Sequence, residues 1–227
     1  MPRVPRVDIG GEIYHVINRA NGRTTIFHKK ENYIHFEKLF AEAKKRVDMR
    51  IVAYCLMPNH WHLVLHPRND GDLSLFMQWL TLTHTQQYHA RTKTIGYGHL
   101  YQGRYKSFLV QKENYLLQLI RYVERNPLRA KLVKRAEDWQ WGSAYRKVYG
   151  TPEEKLLLSD PLIDLPHEYL QWLNEREDEE TLASLRESVN KGKPYGTMGW
   201  VGRMVKKYGL FLTTRQRGRP KKHEKGT

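Results

Sequence analysis

An α+β fold is predicted: a ferredoxin-like antiparallel sheet with helices packed on one face, a small C-terminal helical appendage and a basic tail. Three observations carry this. From Glu12 to Asn126, strand-like runs take turns with apolar stripes at three- and four-residue steps. Two of the strand-like runs are separated only by Pro58 and Asn59, a hairpin signal. The 227 residues fit one domain of ordinary size plus an appendage, enough to bury a sizeable core.

The elements follow in order. "EIYHVIN", Glu12 to Asn18, alternates and reads as a strand. After the turn-rich "RANGR", Lys30 to Val47 reads as a helix, with Tyr33, Phe36, Leu39, Phe40, Ala43 and Val47 on one stripe. "RIVAYCLM" and "HWHLVLH" form the hairpin, and Leu73 to Arg91 a second helix. "YKSFLVQ" supplies another strand; "NYLLQLIRYVERN" supplies a third helix, with Asn114 as N-cap and Pro127 just past its end. Strand, helix, two strands, helix, strand, helix is the ferredoxin-like order with one helix added. The main domain is drawn over 1–150, the helical appendage over 151–212 and the tail over 213–227. Trp200, Val201, Met204, Val205 and Tyr208 stripe the appendage. The tail is polar and expected to be disordered.

Lysine and arginine number 39 against 24 acidic residues, a net charge of +15, so the expected partner is a polyanion such as nucleic acid. The single cysteine, Cys55, excludes an internal disulfide and a cysteine-rich zinc site, and fits a reducing cytosol. No run approaches the roughly 20 apolar residues of a membrane-spanning helix, and the start lacks a signal-peptide stretch. A soluble intracellular protein is expected.

His60 and His62 stand two residues apart in a strand, so both imidazoles share a face and can lean onto one ion. Two ligands hold a catalytic metal weakly. His66 on the same face and His15 on another strand are possible third groups. Tyr122 and Asn126 lie one turn apart on the third helix, where Asn126 can offer an amide oxygen beside the phenol. A polar strand position and a helix end would also explain these residues singly.

Read together, "MPNHWHLV", "GHLYQGRYKSFLVQ" and "RYVERNPLRA" resemble the HUH single-tyrosine transposases, and most closely the REP-associated tyrosine transposases. The likeness covers residues 10 to 150, including "WQWGSAYR". It implies a bacterial enzyme acting on single-stranded palindromic or hairpin DNA, in the cytoplasm at the nucleoid. His60 and His62 map to the metal site, Asn126 to an added amide ligand and Tyr122 to the nucleophile. Tyr115, two turns earlier, is the rival nucleophile, but only Tyr122 has the amide one turn on. The implied chemistry is strand cleavage and transfer through a 5′-phosphotyrosine, with Mg2+ or Mn2+ as cofactor, by a monomer or homodimer.

Two basic stretches complete the reading. Arg104 and Lys106, interleaved with Tyr105 and Phe108, fit a phosphate track beside stacking rings. In the tail, Arg217, Arg219, Lys221 and Lys222 surround a Gly-Arg-Pro centre that resembles an AT-hook entering a narrow minor groove. The rival readings are a relaxase or replication-initiator nickase and a non-catalytic DNA-binding regulator.

Overall fold

Four strands form one antiparallel sheet: β1 (Ile13–Arg19), β2 (Arg50–Met57), β3 (His60–His66) and β4 (Lys106–Val110). Their order is β2-β3-β1-β4, with Ile17 opposite His62 and Arg19 opposite His60. The computed structural model describes residues 6–160 and 162–215. Arg217, Arg219, Lys221 and Lys222, the expected AT-hook, lie outside the described residues.

Two helices, α1 (Lys30–Arg46) and α2 (Asp72–Thr92), pack on one face of the sheet. There Phe36, Phe40 and Phe76 meet Tyr54, Trp61, Leu63 and Leu65 in a core of fully buried side chains. Burying each such group contributes on the order of 1.5–3 kcal/mol. The expectation that helices cover one face only is overturned. α3 (Asn114–Glu124) covers the opposite face, where Leu116, Leu119, Ile120 and Val123 pack on Val52, Ala53, Cys55 and Val64. The reason lies in the strands: β2 is apolar at nearly every position rather than alternating, the pattern of a strand buried on both sides.

The helices α4 (Asn126–Arg129), α5 (Ser143–Tyr149), α6 (Pro152–Lys155), α7 (Tyr169–Asn174), α8 (Glu179–Lys191), α9 (Met198–Tyr208) and α10 (Phe211–Thr214) follow. The segment after Gly150 feeds both cores: Leu182 and Leu185 of α8 join α3, whereas Val201 and Val205 of α9 join the α1–α2 side. Both sheet edges are also occupied. The Leu56 N–H donates to the Trp141 carbonyl at 2.8 Å on the β2 edge, and the Tyr195 N–H donates to the Leu109 carbonyl at 2.8 Å on the β4 edge. Covered edges leave no row of free backbone groups to template aggregation. Among the described residues no helix is long and apolar enough to cross a membrane.

Candidate active site

Strand alternation sends Trp61, Leu63 and Leu65 into the α1–α2 core and turns His60 and His62 toward α3. His15 of β1 shares that face. Its Nε2 lies 2.9 Å from His62 Nδ1, and the two rings stack with centroids 5.1 Å apart. The His60 Nδ1–H donates to Asn59 Oδ1 at 2.7 Å, since that oxygen can only accept. Burial, aided by Arg19, lowers His60 to about 4, and burial drives His62 well below the usual imidazole range. Both rings are therefore neutral at pH 7, the state in which imidazole binds metals.

The tyrosine helix is set by its ends. Glu113, at φ 67° in the left-handed region, takes the N-cap position, so Asn114 is the first helical residue rather than the expected cap. Pro127 has no N–H for the ladder, and the helix breaks at Arg125. Asn126 thus opens α4 instead of closing α3, and its Nδ2 donates to the Tyr122 and Val123 carbonyls at 3.1 and 3.2 Å. With the nitrogen so engaged, the amide oxygen is the arm left to offer.

Tyr122 is 7% exposed, and its ring centroid lies 6.0 Å from that of His62 and 6.3 Å from that of His15. Tyr115 instead packs edge-on against Tyr195, at 5.1 Å. The Arg129 guanidinium covers the Tyr122 ring at 4.3 Å and donates to the Tyr122 carbonyl. Glu177 accepts from Arg129 at 2.7 and 3.0 Å and from Arg125 at 2.9 Å. Burial raises the Tyr122 hydroxyl above the ordinary phenol range; Arg129, Arg186 and Arg19 oppose that rise.

Of the residues expected from sequence, His60, His62 and Tyr122 thus converge, with Asn126 one turn along from the phenol. His66 does not join them: it sits at the far end of β3, where its Nε2 meets Arg50 and the Gly11 carbonyl. Arg104 and Lys106 are exposed and line a groove of about 350 Å³ with Asn18, Arg19 and Gln102. Sequence reasoning missed Arg19, Arg129 and Glu177. Arg19 could have been found from the register that sets it opposite His60, and Arg129 from its position two turns after Tyr122. Glu177 arrives from a distant segment and carries no local signal.

Two neutral imidazoles are donors that could hold a divalent ion. Nδ1 of His60 and Nδ1 of His62 are both engaged with neighbours, so each ring has its Nε2 left over. No group of three or more His, Cys, Asp or Glu able to hold a metal exists among the described residues, so any ion here would depend on the two imidazoles and an added donor such as the Asn126 amide.

Comparison with known proteins bears on this site. The family described as Transposase IS200 like matches residues 11–126, a stretch that includes His60, His62, Tyr122 and Asn126. A Haemophilus influenzae protein described as a REP-associated tyrosine transposase is 23% identical over 121 residues, covering 50% of this chain and 69% of the relative. The solved structure of a REP-associated tyrosine transposase bound to a REP hairpin aligns with a TM-score of 0.54 at 18% identity, covering 79% of this chain and 100% of that one. That likeness is one of fold. The family match spans just over half of the chain and bears out the resemblance read from the motifs: the protein belongs to the IS200-like transposase family, whose tyrosine enzymes are DNA transesterases.

Proposed function

We propose that the protein is a metal-dependent, single-strand-specific endonuclease and strand transferase of the REP-associated type, acting on hairpin DNA at the nucleoid. The observation that carries this reading is the meeting of Tyr122 with His62 and His60 within one chain. Because the tyrosine faces its own chain's histidines, catalysis is proposed to run in cis.

In this reading Tyr122 Oη attacks the scissile phosphorus and forms a 5′-phosphotyrosine. The bond from phosphorus to the 3′ oxygen breaks, the phenol proton passes to solvent, and the departing oxygen is protonated to a free 3′ hydroxyl. The phosphodiester energy is kept, so a second 3′ end can attack the adduct without ATP. His60, His62 and Asn126 would hold Mg2+ or Mn2+; nitrogen and amide donors without thiolate suit these ions. A bound divalent ion would offset the charge developing on the non-bridging phosphate oxygens. Arg129 fixes the Tyr122 ring and, with Arg19 and Arg186, favours the phenolate against the burial that disfavours it. Arg104 and Lys106 would guide the strand toward Arg19 along the shared groove, and the basic tail from Arg217 to Lys222 would hold the duplex stem.

Incubation of the protein with labelled single-stranded hairpin DNA and Mn2+ tests this. A covalent adduct that resists denaturation is expected from the wild type, and none from His62→Ala. Hairpin binding without an adduct would instead support the DNA-binding regulator.

A further inference from the structure

His15 has no part in the chemistry above, yet it is fully buried and touches a proposed ligand directly. Its Nε2 is 2.9 Å from His62 Nδ1, and its own Nδ1 is buried without a hydrogen-bond partner. A contact between two neutral imidazole nitrogens contains one proton, carried by one ring or the other. Suppose His15 Nε2 carries it. Then His62 keeps its proton on Nε2, and that nitrogen cannot bind a cation. If His62 Nδ1 carries it instead, Nε2 presents a lone pair toward the site.

We infer that His15 is a positioning residue, whose Nε2 accepts the His62 Nδ1 proton and thereby dedicates His62 Nε2 to the ion. This rests on the metal site proposed above. The proton on His15 then resides on Nδ1, the atom left without a partner, so the arrangement sacrifices a hydrogen bond inside the core to fix a ligand's tautomer. Buried polar groups are seldom left this way. A histidine serving only to fill space beside Phe108 could be replaced by a hydrocarbon of similar bulk. Asn59 Oδ1 does the corresponding work for His60 without leaving an orphaned nitrogen in the core, at the partly buried turn of the hairpin. Outer partners of this kind typically hold about 10- to 100-fold in metal affinity.

The test is Mn2+ affinity, measured by calorimetry on the full chain for the wild type, His15→Leu and His15→Gln, with thermal unfolding of each as control. Leucine keeps the burial and removes the acceptor. Glutamine places an amide oxygen near the lost Nε2. Expected is a loss of about 10- to 100-fold for His15→Leu, with His15→Gln within about 3-fold of wild type. Equal affinity of His15→Leu and wild type would overturn the inference, as would a His15→Gln loss as large as that of leucine. Nitrogen-15 spectra of the unaltered protein in saturating Mg2+ give a measurement free of folding defects: the proton of His62 is expected on Nδ1, and a proton on Nε2 refutes the assignment. If wild type takes up neither ion, the metal site itself fails and the inference falls with it; uptake by wild type and leucine alike refutes His15 alone.

Discussion

Both faces of the sheet bury histidine, and they use it differently. Under α1 and α2, His84 stacks on Phe27, and a chain of bonds closes around it. The Trp61 N–H donates to the Tyr101 hydroxyl at 3.1 Å, and that hydroxyl is hydrogen-bonded to His84 Nδ1 at 2.6 Å. Under α3, His62 spends one nitrogen on His15 and has the other left over, within reach of a tyrosine that an arginine holds in place. The first arrangement ties up its tyrosine hydroxyl in two bonds and packs among aromatic rings. Burial alone does not distinguish a core histidine from a functional one; the unspent nitrogen beside a reactive hydroxyl does.

The comparison is sharpened most by removing the reactive hydroxyl. Tyr122→Phe is expected to lower adduct formation by at least about 10⁴-fold while hairpin binding and thermal stability hold, and Tyr115→Phe is expected to leave the adduct. The reverse pattern would move the nucleophile to the Tyr195 side of the helix. A smaller but large effect is expected at Glu177, which sits buried between two arginines. Glu177→Ala leaves Arg125 and Arg129 uncompensated and is expected to cost about 3–5 kcal/mol in urea unfolding. A loss under about 1 kcal/mol would show that solvent already screens the trio.

The α1–α2 face gives a pH signature. Burial lowers His84 to about 3 from the usual 6.5, so below pH 6.5 the unfolded chain takes a proton that the folded chain refuses. This stabilisation is complete above pH 6.5 and is lost as pH falls toward 3, by roughly 2 kcal/mol at pH 5. His84→Gln can still accept from Tyr101 and should flatten the stability-versus-pH slope by about 1.4 kcal/mol per unit in that window. An unchanged slope would mean that other groups carry the acid sensitivity. The smallest effects belong to the exposed cations. Arg104→Ala and Lys106→Ala are each expected to weaken hairpin binding and to reduce the salt slope by about 1. Truncation after Thr214 should reduce it further if the tail grips the stem.

Much of this was legible in the sequence because it is local. Alternation in "EIYHVIN" and the Pro58–Asn59 break set the strands, and the His60–His62 spacing set a shared face. The four-residue step from Tyr122 to Asn126 placed the amide, although Pro127 moved it into a new helix. What escaped was long-range. Leu182 and Leu185 of α8 join the second face that α3 covers, and Glu177 reaches Arg129 from the segment just before α8, both far along the chain from the sheet. His15 was visible as a candidate ligand; only the strand pairing reveals that it meets the ring of His62 instead.

The central claim is that Tyr122, rather than any other tyrosine, is the group the histidine face sets up to react. Its most direct test is mass-spectrometric mapping of the nucleotide-bearing peptide after reaction with hairpin DNA and Mn2+. The account expects the nucleotide on Tyr122; a nucleotide on Tyr115, or on any other side chain, would contradict it.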